Sequence, residues 1–216
     1  MDRALPVAVL ALAAIASSGA AAAAAVEAMV RDAAGMPVKD VVVLARSTAA
    51  APALKPGKDN VDQVDKEFVP YVKVVVAGSA VSFPNKDDIR HQVYSFSPAK
   101  RFELPLYAGT PATPVVFDQP GVVTLGCNIH DWMAAYVYVA DTPWFAITQA
   151  DGKARLSGLP AGEYVLQVWH PRMESAESAT AQKMRLEADA KAAWTVKLKP
   201  DLRPRRAPAA HGGGYR

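Results

Sequence analysis

Short apolar runs separated by turn residues fill the middle of the chain. Between Glu67 and Ala140 they are Tyr71 to Val76, Ala80 to Phe83, His91 to Phe96, Val115 to Phe117, Val122 to Leu125 and Ala135 to Val139. Ala77-Gly78-Ser79, Pro84-Asn85 and Gln119-Pro120-Gly121 stand between them, and such residues favour turns. Many short strands and few helical stretches predict an antiparallel sandwich or barrel. Before this block, the apolar stretch from Val26 to Arg46 is broken at Ala34-Gly35-Met36-Pro37, a hairpin-like signal. After it, Asp151-Gly152 and Leu159-Pro160-Ala161-Gly162 read as turns, with strands predicted over Glu163 to Trp169 and Trp194 to Leu198. Ser175 to Lys191, rich in Ala, Glu and Lys, reads equally as a helix or a polar loop.

The two ends and one internal stretch break the pattern. Arg3 followed by the uncharged run Ala4 to Ala16, then small residues from Ser17 to Ala25 with several A-x-A sites, predicts an export signal over residues 1–25. The competing reading is an uncleaved anchor extending to Val26, although Ala4 to Ala16 is short of the roughly 20 residues needed to span a bilayer. Signal cleavage would leave no membrane span. Residues 47–65, rich in Ala, Pro, Lys and Asp, read as a linker. Residues 201–216 read as a disordered basic tail. The expected divisions are 26–46 and 141–200 on the flanks, with a domain at 66–140 between them.

Charge narrows the function. The net charge is +3 over 216 residues, and Arg203, Arg205, Arg206 and Arg216 against Asp201 put that whole excess in the tail. A neutral body argues against a nucleic-acid partner, which calls for a basic face. A Ser-His-Asp set, a phosphate loop and H-E-x-x-H are all missing from the sequence, so it does not read as a hydrolase or nucleotide enzyme.

The chain has one cysteine, Cys127, so no internal disulfide can form. In an exported protein its fates are an inert buried thiol, an intermolecular disulfide or a metal thiolate. Its neighbours favour the last. Gly126-Cys127-Asn128-Ile129-His130-Asp131-Trp132-Met133 contains C-x₂-H-x₂-M, a thiolate, imidazole and thioether suited to copper. With 4 His and 6 Met in 216 residues, His at +3 and Met at +6 from one Cys arise about once in 2,000 draws by composition. The segment lies between two predicted strands, where a loop can wrap an ion. A trigonal copper site needs a second imidazole, and His91 is the candidate. Alternation sets His91, Val93 and Ser95 on one face of their strand, against Gln92, Tyr94 and Phe96. His170 lies beyond the ligand loop and His211 in the tail.

The segment Val75 to Val139 resembles a cupredoxin of the plastocyanin/amicyanin class. "VVVAGSAVSFPNKDDIRHQVYSFSP" carries a hydrophobic strand, a turn, F-x-N-x-D and a first histidine, and "FDQPGVVTLGCNIHDWMAAYVYV" carries a P-G turn, the Cys-His-Met loop and a last strand. The short spacing before Met133 is closer to amicyanin. The whole chain resembles the exported type labelled methylamine utilization protein, through "FPNKDD", "LGCNIHDWM" and "LPAGEYVLQVWHPR". No residue points to a methylamine pathway. The flanks "VEAMVRDAAGMPVKDVVVLA" and "FAITQADGKARLSGLPAGEYVLQVWHP" resemble two halves of a carboxypeptidase regulatory-like, transthyretin-type β-sandwich.

These resemblances imply an all-β protein: a cupredoxin Greek-key β-sandwich inserted in a second sandwich built from both flanks. They imply one type 1 copper ion with His91, Cys127 and His130 as equatorial ligands and Met133 as the weak axial one. Asn85 becomes a candidate supporting residue. Gln92 departs from the Asn usual after the first histidine, which leaves the tie between the ligand loops open. The implied function is a periplasmic or otherwise exported one-electron carrier, not an enzyme, serving a redox partner that the sequence does not identify. His130 would be the partly exposed ligand through which electrons pass. Trp132 is either part of a docking patch around it or loop packing. Two alternatives stay open: a copper chaperone or storage protein that binds Cu(I), and a metal-free structural β-sandwich.

Overall fold

The computed structural model describes residues 23–49 and 52–201. Among them the chain is all-β, with one short 3₁₀ turn at Glu177–Thr180 and no α-helix. The N-terminal flank gives β1 (Ala24–Asp32) and β2 (Val42–Ser47). The middle gives β3 (Lys58–Asn60), β4 (Asp62–Val64), β5 (Glu67–Val69), β6 (Val72–Val76) and β7 (Ser79–Ser82). It continues with β8 (His91–Ser97), β9 (Lys100–Tyr107), β10 (Val115–Phe117), β11 (Gly121–Gly126) and β12 (Ala134–Ala140). The C-terminal flank gives β13 (Trp144–Ile147), β14 (Lys153–Leu159), β15 (Gly162–Trp169), β16 (Gln182–Leu186) and β17 (Ala190–Val196).

Strands from the two flanks share sheets. One sheet runs β14-β1-β17 and another β13-β2-β15-β16. Val26, Val30, Val43, Leu156, Leu166, Val168 and Trp194 fill the space between them. β1 lies between β14 and β17 and β2 between β13 and β15, so the N-terminal flank supplies a central strand to each sheet. Gly152 sits at φ 75° where a Cβ would meet the Val30 carbonyl oxygen at 2.5 Å, so the turn before β14 needs glycine.

The middle strands form the sheets β6-β12-β11-β8-β9 and β10-β7-β3, with the hairpin β4-β5 alongside. Val81, Phe83, Val93, Phe117, Val123, Leu125 and Val137 make their core. A third cluster joins the two sandwiches: Val42 and Leu44 of β2 pack on Val72 and Val74 of β6 and on Tyr138 and Ala140 of β12. Val41 through Ala45 are therefore all fully buried, and an unbroken apolar run is what a strand covered on both faces requires. Arg46, just beyond, donates to Asp141 and Glu177, while the Tyr138 hydroxyl donates to Glu177 at 2.6 Å. These groups tie β2, β12 and the 3₁₀ turn at the rim of that contact.

The structure differs from the sequence reading in three places. The stretch 47–65, read as linker, contains β3 and β4, which extend the middle sandwich N-terminally. Val61 and Gln63 are fully buried there, and their N–H groups donate to the carbonyls of Ser82 and Pro84. Only one apolar side chain anchors this segment, so its composition reads as loop. The predicted signal 1–25 overlaps β1: Ala24 and Ala25 are buried, and the Ala25 N–H donates to Asp189. The ambiguous segment 175–191 holds the 3₁₀ turn and β16. Residues 1–22 of the expected signal and 202–216 of the expected tail lie outside the described residues. No helix among the described residues is long and apolar enough to cross a membrane.

Candidate metal centre

Two neighbouring strands and one loop bring the candidate ligands together. His91 opens β8 with its side chain fully buried, and β8 pairs with β11 through Tyr94 and Gly126. Cys127 follows directly on β11, and Met133 directly precedes β12, so the Cys-His-Met segment is the connection between two antiparallel strands. Its last turn is closed by the Met133 N–H donating to the His130 carbonyl at 3.0 Å. Gly126 is needed for close approach. A Cβ there would lie 2.7 Å from the Tyr94 ring, which covers the backbone just before Cys127.

His91, Cys127 and His130 each place a ligand atom within 4.8 Å of the other two. Donors held at about 2.0–2.3 Å from one ion stand roughly 3.5–4 Å apart, so small side-chain movements suffice to share one. The imidazole centroids of His91 and His130 are 5.0 Å apart. Cys127 is buried and has no disulfide partner. The Nδ1 atoms of both histidines are buried without a hydrogen-bond partner. An orphaned buried polar atom costs about 1–3 kcal/mol, and two beside a buried thiol make a donor set that a soft metal satisfies. The residues present fit copper.

The local field favours the neutral, coordinating form of His130. Burial lowers its pKa first, and neighbouring His91 and Lys66 lower it further, against a smaller opposite pull from Asp87. Its ring lies tilted against Trp132, with centroids 5.1 Å apart, and the Trp132 indole N–H donates to the Lys66 carbonyl. On the other side, the His91 Nε2 lies 2.7 Å from an Asp87 carboxylate oxygen.

Met133 is 2% exposed and belongs to the same apolar core as Cys127. Gln92 does not tie the ligand loops: its amide donates to Glu103 on β9. Asn85 braces the loop before β8, donating to the carbonyls of Ile89 and Tyr107 and accepting from the Asp87 N–H. His170 lies in the other sandwich, where its Nδ1 accepts from the Arg172 N–H. His211 is outside the described residues. Sequence reasoning noted Asp87 only within F-x-N-x-D, without a role, and passed over Lys66.

No family model matches the sequence, and no curated protein matches it. Solved structures do. A copper-containing nitrite reductase from Thermus scotoductus SA-01 is 25% identical, over 44% of this chain and 25% of its own, with a TM-score of 0.37. The chain thus matches a quarter of that protein's length. A purple cupredoxin from Nitrosopumilus maritimus is 20% identical, over 38% of this chain and 99% of its own, at a TM-score of 0.34. A reduced amicyanin variant is 20% identical, over 44% and 98%, at 0.35.

Proposed function

We propose that this chain is an exported type 1 copper protein that carries single electrons for a redox partner and is not itself an enzyme. The observation that carries this reading is the buried cluster of His91, Cys127 and His130 with both imidazole Nδ1 atoms unpartnered. We read the middle sandwich, widened to begin at β3, as a cupredoxin domain inserted in a regulatory-like sandwich made by the flanks. Copper supplies the one-electron couple when bound, and a thiolate with two imidazoles is the set that holds it in such centres.

The chain's own residues supply the rest. Cys127 and His91 are buried, at 4% and 0% exposure, which keeps water from the ligand atoms and limits rearrangement between redox states. Met133, buried in the same core as Cys127, would supply a weak fourth donor. His130 is the less buried ligand, and Ile129 next to it is 49% exposed, so electrons would enter or leave along this edge. Deep burial of two ligands disfavours a chaperone, which needs open exchange. The orphaned Nδ1 atoms disfavour a metal-free sandwich.

The test is voltammetry of the copper-loaded protein without its leader. A reversible one-electron wave that disappears in Cys127→Ser is expected. An irreversible wave, or binding of Cu(I) alone, would contradict the carrier reading.

A further inference from the structure

Asp65 and Lys66, the two residues between β4 and β5, are both left-handed, at φ 54° and 61°. Two left-handed residues in a two-residue connection make a type I′ turn, the common hairpin geometry, although neither is the Asn or Gly that usually adopts it. Here the turn aims its two N–H groups at one carboxylate. The Asp65 N–H donates to Asp87 Oδ1 at 2.6 Å and the Lys66 N–H to Asp87 Oδ2 at 2.8 Å. Successive amides in such a turn form an anion-binding concavity, and the anion is a side chain of the same protein. Asp87 Oδ2 also faces His91 Nε2 at 2.7 Å, and the Lys66 carbonyl accepts from Trp132, whose ring lies tilted against His130. Asn85 fixes the loop that carries Asp87. One turn thus reaches both histidines from behind.

We propose that the Asp65-Lys66 turn and Asp87 form a clamp in which Asp87 is the positioning residue for His91, setting its tautomer and its strength as a copper donor. An ionised carboxylate only accepts, so the proton of a neutral His91 sits on Nε2 and the lone pair is left on Nδ1, which is buried without a hydrogen-bond partner. A carboxylate behind the ring makes the imidazole a stronger donor, which favours Cu(II) over Cu(I). Its effect on copper rests on the reading above. The tautomer does not.

The experiment has two arms. In metal-free protein, nitrogen-15 NMR should find His91 as the Nε2–H tautomer, with that preference weakened in Asp87→Asn and Asp87→Ala. In copper-loaded protein, Asp87→Ala should lower Cu(II) affinity about 10–100-fold and raise the reduction potential. Asp87→Asn, which keeps the shape and one acceptor, should change both less, and Asp87→Glu should restore part of each. An Nδ1–H tautomer in the wild type, or an unchanged affinity and potential in Asp87→Asn and Asp87→Ala, would overturn the clamp. A wild-type protein that keeps the Nε2–H tautomer but binds no copper would support the clamp and overturn the copper reading.

Discussion

The indole N–H of Trp132 donates to the carbonyl of Lys66, 66 residues earlier in the chain, at 3.0 Å. That bond fastens the loop carrying His130 to the β4-β5 hairpin, and it makes Trp132 a packing residue whose ring lies beside the His130 imidazole. Trp132→Phe keeps a ring in place but leaves the Lys66 carbonyl without this donor. A loss of about 0.5–1.5 kcal/mol in urea unfolding is expected. Unchanged stability with slowed electron exchange would instead make Trp132 a docking residue.

Met133 tests the axial position. A weak thioether ligand tunes the potential more than it retains the metal. Met133→Gln should keep one copper per chain and lower the reduction potential, as read by metal analysis and voltammetry. Copper lost from a folded variant would make Met133 a primary ligand and favour a Cu(I)-handling role.

Leu44 tests the contact between the sandwiches. Its side chain is fully buried against β6 and β12. Leu44→Ala should cost about 2–5 kcal/mol in chemical denaturation while leaving the copper spectrum unchanged, because the cavity opens away from Cys127. A near-neutral result would mean that the two sandwiches barely stabilise each other.

The proposed leader can be checked by mass. Ala24 is paired with Leu159 and Ala25 donates its N–H to Asp189. Processing in an exporting host should therefore leave Ala24 on the mature chain. A mature protein beginning at Val26 would show that these contacts are dispensable.

The candidate loop was readable in sequence because its chemistry is local: Cys127, His130 and Met133 fall within one strand connection. His91 was singled out because a trigonal site calls for a second imidazole and His170 and His211 lie away from that loop. The all-β architecture followed from turn residues spaced between short apolar runs. What escaped was long-range. β3 and β4 hide in a polar stretch because, among its described residues, only Val61 and Gln63 are fully buried. The run Val41 to Ala45 was visibly apolar, but its second buried face depends on β6 and β12 arriving from another domain. The role of Asp87 depends on two left-handed residues more than twenty positions earlier, and Asp-Lys carries no turn signal as Asn-Gly does.

The most direct measurement is visible absorption with EPR on the copper-loaded protein, beside its Cys127→Ser variant. An intense thiolate-to-copper band and a narrow copper hyperfine splitting are expected in the wild type, and both should vanish in the variant. A tetragonal Cu(II) spectrum without that band, or full colour in Cys127→Ser, would contradict the type 1 assignment.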